Sequence, residues 1–332
     1  MLSLVVRKNM EVSKIDKIKT SAILCWLGWV FDFYDLILIV FLIPLIETSL
    51  NVSPETSPWL LGIGLGGSGV GGLLFGWLGD QYGRKKILMV TVSIFSLGMF
   101  ITAVTQSTEQ FLLARFITGL GLGGEWAVGH ALIAESVPAH TRARWGAFLQ
   151  SGEPIGVAFA AIMGFIVAPS IGWRAVLMLS SVTGFLTLAF RRYLMESPVW
   201  LNTPRRSSRQ RLTALLPFFQ HYKLLLLLAF ILALFKLGTY WTCYTWLPRF
   251  IKQSFGFAIG KSVLWILCGQ LGQFLGVFLF GYIADKIGRR PAFTIFSLLT
   301  AGVLFSLATY WDNLFHVYII LFWCLIFLLG NL

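Results

Sequence analysis

Long apolar segments follow one another almost to the end of this chain, and this pattern limits the possible folds more than any other feature. Windows of about 20 apolar residues, the length that crosses a bilayer as a helix, occur at 20–46, 57–79, 87–106, 110–134, 145–168, 173–194, 222–248, 258–284 and 292–311. A tenth begins near Leu314 and reaches Leu332. Lipid offers no partner to backbone polar groups, and these segments are too long for barrel strands. The sequence therefore predicts an all-α, polytopic membrane protein.

Composition and short motifs exclude several other classes of protein. Charged residues make up 12% of the chain, against about 25% in soluble proteins. The four cysteines fall in predicted spans without the spacing of a metal site or a disulfide framework. Two matches to the dinucleotide pattern, at 64–69 and 119–124, lie inside spans without a preceding strand, so their glycines indicate close helix packing. The prediction is a protein that is not an enzyme and needs no cofactor or metal.

Lysine and arginine concentrate in alternate loops. When basic residues near a span end are counted with the adjoining loop, 20 of the 26 fall in five segments on one predicted side of the membrane, four lie on the opposite side and two lie deep within spans. Because cytoplasmic loops carry the excess of Lys and Arg, the N-terminus is predicted to be cytoplasmic. The net charge of +12 then reflects topology and contact with anionic lipid, and nucleic acid is not a predicted partner.

An internal repeat is the most specific signal in the chain. The segment "GWLGDQYGRKK" at 76–86 recurs as "GYIADKIGRRP" at 281–291, with the same spacing of Gly, Asp, Gly and two basic residues. In the first copy these are Gly76, Asp80, Gly83, Arg84 and Lys85, and in the second they include Asp285, Gly288, Arg289 and Arg290. The repeat predicts two related halves: a six-helix bundle at 1–194, a cytoplasmic segment at 195–221 and a second bundle at 222–332.

These residues resemble the major facilitator superfamily, which carries this loop between its second and third spans and a weaker copy between the eighth and ninth. The segments "RFITGLGLGGEW" at 115–126, "ESVPAHTRAR" at 135–144 and "ESPVWL" at 196–201 extend the resemblance. It implies twelve spans in two bundles that rock around a central site. This chain ends within the tenth span, so the second bundle is expected to be incomplete and Asp80 to lack its partner in the eleventh helix. The mirror contact, Asp285 against the start of the fifth span near Trp145, remains possible.

Six charged residues lie inside predicted spans and more than three residues from either end, where a charge costs about 2.5 to 3.5 kcal/mol at the span centre and normally marks a pathway. They are Asp32, Asp35, Arg115, Glu125, Glu153 and Lys236. Asp32 and Asp35 share one helix face, and two carboxylates held close disfavour each other's charge, as a proton carrier requires. The stretch "DFYDLILIVFLIP" at 32–44 is similar to the first span of organic-acid proton symporters in this superfamily. Glu125 and Glu153 are further proton-site candidates, with packing roles as alternatives.

The candidate substrate-binding residues are partly cationic. A guanidinium such as that of Arg115 grips a carboxylate with two parallel hydrogen bonds, although a structural ion pair is the alternative. Lys236 either faces Asp32 from the second half or extends to the cytoplasmic surface. Tyr240, Gln150 and Gln270 complete the candidate pocket.

Together these features predict a proton-coupled symporter of a small organic anion: a monocarboxylate, an aromatic acid or a sugar acid. The protein is expected to be a monomer in a bacterial inner membrane, with its substrate, protons and lipid as partners. The alternatives are a neutral sugar or polyol porter, for which the Gln residues would be the ligands, and a truncated membrane protein that does not transport.

Overall fold

The helices predicted from the apolar segments are present in the structure, a computed structural model that describes residues 2–204, 217, 219–240 and 259–309. The helices are α1 Leu2–Leu50, α2 Trp59–Tyr82, α3 Arg84–Val104, α4 Thr108–Ser136, α5 Arg142–Gln150, α6 Gly152–Ile162, α7 Ala168–Ile171, α8 Trp173–Arg191, α9 Pro198–Asn202, α10 Phe219–Tyr240, α11 Ile259–Ile287 and α12 Arg289–Thr309. A 3₁₀ turn at Ala139–Thr141 precedes α5, and a π-helical turn at Met163–Val167 separates α6 from α7. The described residues contain no strand, which confirms the all-α prediction.

Eight helical segments in the described part of the chain are long and apolar enough to cross a membrane. The fifth, Ala139–Ile171, was predicted as one helix but is divided into α5, the Pro-containing α6, the π turn and α7. The predicted tenth span, residues 241–248 of the seventh span and residues 205–216 of the central segment lie outside the described residues. The chain is thus a multi-pass integral membrane protein.

Glycine allows the closest helix packing in the first bundle, between α2 and α4. Added Cβ atoms on Gly67 and Gly71 would overlap the backbones of Phe116 and Leu120, and one on Gly123 would overlap the backbone of Ser68. Small residues let backbones approach in a membrane, where dispersion contacts replace the hydrophobic driving force. The close packing predicted from the glycines at 64–69 and 119–124 is thus present at Gly67, Gly119 and Gly123, whereas an added Cβ on Gly66 or Gly69 would meet no atom within 4 Å.

Contacts near helix ends define two opposite ends of the molecule. At one end, Arg174 donates hydrogen bonds to Ser49 Oγ and to the Thr105 carbonyl, both at 2.9 Å, which joins the end of α1 and the start of α8 to the connection between α3 and α4. At the other end, which we call the basic end, Lys85 donates to the Arg192 carbonyl at 2.7 Å. The polar site described below lies between these two ends.

Candidate functional site

Helix α1 places two carboxyl groups in the interior of the first bundle. Asp32 and Asp35 are 1% and 0% exposed. Arg115 of α4, also buried, donates from Nη1 to both oxygens of Asp35, at 2.9 and 3.3 Å. One guanidinium nitrogen thus makes both contacts, and Nε of Arg115 has no hydrogen-bond partner in the structure. The ion pair leaves guanidinium donors that a second carboxylate could use.

Asp32 lies one helical turn away from Asp35 and has a different environment. The charges acting on its carboxyl are those of Arg191 and Asp35, and Trp126 lies beside it. Its Oδ2 atom is buried and has no hydrogen-bond partner in the structure. An ionised carboxylate in this position is poorly compensated, whereas a protonated one carries no net charge.

Arg191, at the end of α8, is the charged residue that sequence reasoning missed. It is 0% exposed and forms a buried ion pair with Glu125 of α4. Gly28 of α1 provides the space, because a Cβ there would overlap both partners. The sequence analysis counted Arg191 among the basic residues of a predicted cytoplasmic segment, 191–223, whereas the structure buries its side chain. Arg191 lies beside Arg192 at the end of an apolar segment, and nothing in that sequence indicates that its side chain points into the bundle.

An aromatic layer covers this charge cluster on the side of the basic end. Phe33 and Trp126 stack with ring centroids 5.2 Å apart, and Trp29 lies 5.6 Å from each of them. The edge of His130 contacts Trp29, with centroids 4.4 Å apart. Large apolar rings beside buried charges lower the local dielectric constant, and electrostatic interactions are stronger there.

A second polar site, around Glu153 of α6, brings α6 together with α10 and α11. Gln150 donates to the Glu153 carboxyl at 2.5 Å. Tyr240 of α10 and Gln273 of α11 interact with the same carboxyl. Gln270, also predicted as a ligand, is buried on α11 close to Gln273, which is 0% exposed. The partners described for Glu153 are neutral, which distinguishes this site from the cluster around Asp32.

Lys236 does not join the acidic cluster. Its Nζ atom lies 4.9 Å from the ring centroid of Phe293 in α12, and Arg191 and Asp35 provide the charges that act on Asp32. The same part of the molecule contains a cavity of about 800 Å³ between α4–α5 and α10–α12. Its polar lining includes Gln150, Arg142, Arg289 and Arg290.

The first copy of the repeated loop forms a network of charges at the basic end. Arg84 contacts Asp80 at 2.5 Å and Glu135 at 3.0 Å. Glu196, from the "ESPVWL" segment, accepts hydrogen bonds from the backbone N–H groups of Arg84 at 2.8 Å and Lys85 at 3.3 Å. Three segments that looked separate in sequence therefore meet in one network.

The second copy of the loop contacts the first turn of α5. Asp285 accepts hydrogen bonds from the backbone N–H groups of Ala143 and Arg144, both at 3.2 Å, and from the Arg144 side chain at 2.8 Å. These amides belong to the first turn of α5, where the helix dipole favours a carboxylate. The contact expected for Asp285 at the start of the fifth span is thus present.

This arrangement, in which long apolar helices enclose paired charges and two copies of a loop lie at one end, defines a multi-pass transport protein. The family model for the Major Facilitator Superfamily matches residues 25–331, and the chain belongs to this superfamily of membrane transporters. It is 33% identical over 291 residues to a putative metabolite transport protein of Haemophilus influenzae, covering 85% of this chain and 70% of that protein.

Two further comparisons agree with this assignment. The chain is 32% identical over 285 residues to the putative niacin/nicotinamide transporter NiaP of Bacillus subtilis, again covering 85% of this chain and 70% of the relative. Among solved structures, the proton:xylose symporter XylE bound to a bromodeoxyglucose superimposes with a TM-score of 0.79 at 21% identity, covering 95% of this chain and 80% of that one. The second comparison concerns the fold alone.

Proposed function

We propose that this protein is a secondary transporter that couples the movement of a small organic anion to that of protons. The substrate class is a monocarboxylate, an aromatic acid or a sugar acid. In this proposal residues 1–194 and 222–332 are the two moving halves, residues 195–221 join them, and the N-terminus faces the cytoplasm of a bacterial cell. The protein works as a monomer.

The observation that carries the proposal is the buried ion pair between Arg115 and Asp35. Arg115 is 2% exposed, pairs with Asp35 and has a guanidinium Nε without a hydrogen-bond partner in the structure. When Asp35 is protonated, its hold on the guanidinium weakens and a substrate carboxylate can take its place. Proton binding and anion binding then favour each other, which is the coupling that symport requires.

Two other observations agree with an anionic substrate. The cavity at the basic end has Arg142, Arg289 and Arg290 in its lining. A cleft lined by one sign of charge raises the local concentration of counter-ions. The relative NiaP is named for niacin, a pyridine carboxylic acid, and for its neutral amide.

A neutral, hydroxyl-rich substrate is the second candidate, favoured by the amide groups around Glu153. Gln150, Gln270 and Gln273 approach this site from both halves. Amides both donate and accept hydrogen bonds, as recognition of sugar hydroxyls requires. In this case Arg115 would have a structural role only.

Uptake into liposomes with an imposed pH gradient tests the proposal. The substrates are labelled nicotinate, a sugar acid and xylose, and the variants are Asp35→Asn, Asp32→Asn and Arg115→Lys. We expect gradient-driven uptake of an acid that both Asp→Asn variants lose by about tenfold or more, because Asn cannot titrate. Arg115→Lys should raise the substrate concentration needed for half-maximal uptake, since a point charge replaces a planar fork.

Asp16→Asn provides the matched control, because Asp16 lies on the same helix and is exposed. Substrate exchange at equal pH on both sides reports binding without proton coupling and should survive in the Asp→Asn variants. Uptake of xylose but of neither acid would favour the second candidate. Accumulation by both Asp→Asn variants at the level of the unmodified protein would contradict proton coupling through α1, and absence of any uptake would favour a protein that does not transport.

A further inference from the structure

Five ionisable side chains meet in the interior of the first bundle, and their charges do not balance. The carboxyl groups are those of Asp32, Asp35 and Glu125, and the guanidinium groups are those of Arg115 and Arg191. None of the five residues is more than 3% exposed. With all groups ionised, three negative charges face two positive ones.

An unbalanced charge in such a place is unstable. Moving an ion out of water costs several kcal/mol even after relaxation, unless an opposite charge and hydrogen bonds compensate it. The two ion pairs, Asp35 with Arg115 and Glu125 with Arg191, are each internally neutral. The remaining carboxyl, that of Asp32, is the group that a single proton would neutralise.

The contacts around Asp32 agree with this assignment. Its Oδ2 is buried without a partner, and so are Nε and Nη1 of Arg191, whose charge acts on Asp32. The thiol of Cys25 in α1 also lies close enough to Arg191 for an electrostatic interaction. The other neighbours of Asp32 are Asp35 on its own helix and the neutral indole of Trp126.

We propose that this cluster holds one exchangeable proton, which resides on Asp32, and that Arg191 divides its hydrogen bonds between Glu125 and Asp32 according to whether that proton is present. With Asp32 protonated, Arg191 pairs with Glu125 alone. When Asp32 releases its proton to the aqueous phase, the free N–H groups of Arg191 turn toward the new carboxylate and weaken its pair with Glu125. Arg191 is thus a positioning residue. Through its change of hydrogen-bond partner, the protonation of Asp32 in α1 affects the contact between α4 and α8.

The inference deepens the proposed function, on which it rests only for its role in transport: it locates the proton that the cluster holds while no substrate carboxylate competes with Asp35 for Arg115. The carboxyl of Glu153 lies outside the count, because its described partners are neutral. The alternating pairing of Arg191 also provides a physical link between the proton site and the basic end, where α8 ends at Arg191 and the Glu196 segment follows.

Infrared spectroscopy of the protein in lipid, as a function of pH and without substrate, tests the proposal directly. The C=O band of a protonated carboxyl, which disappears in Asp32→Asn, should have the area of one group and one titration step. Glu125→Gln removes one negative charge and balances the cluster. We expect this variant to take up the Asp32 proton only at a pH lower by at least about one unit, a tenfold change in proton affinity.

A double variant separates charge balance from simple structural damage. Glu125→Gln with Arg191→Gln removes a whole ion pair and restores one unbalanced negative charge, so its titration should return toward that of the unmodified protein. Glu109→Gln, on the exposed outer turn of α4, should leave the band unchanged. Thermal unfolding of each variant verifies that the helices still pack.

Equal titration in Glu125→Gln and the unmodified protein would overturn the proposal, as would a double variant that remains as acid-shifted as Glu125→Gln. If Asp32→Asn removed a C=O band with the area of two protonated carboxyl groups, the cluster would hold two protons and the proposed count of one would be wrong. These outcomes are independent of uptake. A protein that titrates as described but accumulates no anion would retain the proton site and disprove the proposed function.

Discussion

The two copies of the repeated loop share a sequence pattern but make different contacts. Their second glycines have the same backbone geometry, with φ of +101° at Gly83 and +93° at Gly288. Asp80, in the first copy, pairs with Arg84 of its own loop and its side chain is 56% exposed. Asp285, in the second, is only 8% exposed and bonds to the start of α5 across the boundary between the halves.

This difference shows what a repeated motif can and cannot specify. The glycine and its turn are local, because non-glycine residues rarely adopt positive φ. The partner of the carboxylate depends on which helix lies opposite the loop. In the first copy, Glu135 pairs with the Arg84 side chain, and Glu196 accepts hydrogen bonds from the backbone N–H groups of Arg84 and Lys85. The basic residues of this copy therefore already have partners.

The largest expected effect comes from the two glycines. Alanine at either position adds about 1–3 kcal/mol of backbone strain. At Gly83 the new Cβ would also collide with the Glu196 carboxylate, whereas at Gly288 it would meet only Pro291 at an ordinary 3.8 Å. Gly83→Ala should therefore lower the unfolding temperature more than Gly288→Ala. Thermal unfolding in detergent measures both, and equal losses would show that Glu196 simply moves aside.

The next effect concerns the arginine that follows each glycine. Arg84→Gln should cost about 1–3 kcal/mol, because Glu135 loses its charged partner in a partly buried place. Arg289, at the same position in the second copy, is exposed, so Arg289→Gln is the matched control and should change stability little. A control that destabilised the protein as much as Arg84→Gln would mean that both copies form equivalent networks.

A smaller loss of stability is expected when either aspartate is replaced. Only the change at Asp285 should also speed hydrogen exchange in α5. Asp285→Asn removes a charge from the start of α5 and should cost about 1 kcal/mol, with faster hydrogen exchange at the amides of Ala143 and Arg144. Asp80→Asn breaks an exposed pair that is worth about 0–1 kcal/mol. Exchange measured by mass spectrometry should leave α5 unchanged in Asp80→Asn. Protection of α5 that survived in Asp285→Asn would show that the contact does not hold the halves together.

A similarly small effect is expected at Trp200, which donates from Nε1 to the Asp80 carbonyl at 3.1 Å. Trp200→Phe keeps the ring and loses this hydrogen bond, so stability should fall by about 0.5–1.5 kcal/mol at most. Thermal unfolding of Trp200→Phe and Gly83→Ala, measured under the same conditions, compares the two losses of stability. A loss as large as that of Gly83→Ala would mean that the indole supports the loop through packing.

The sequence predicted the fold and one half of the charge site well. The helices and the buried positions of Asp32, Asp35 and Arg115 follow from apolar length and from the cost of charge in lipid. The break of the fifth span at Met163–Val167 was not predicted, because a π turn depends on how one extra residue is accommodated in the packing. Arg191 was missed because an arginine at the end of an apolar run is ordinarily in water.

By itself, the sequence of this protein determined the number and approximate limits of the described membrane helices and the turns at Gly83 and Gly288. These are local properties, set by hydrophobic length and backbone sterics. Only the tertiary structure decided which charge meets which. Arg115 pairs with Asp35 across 80 residues of sequence and Arg191 with Glu125 across 66. Such pairs depend on the rotation and depth of neighbouring helices, and packing over the whole bundle fixes both.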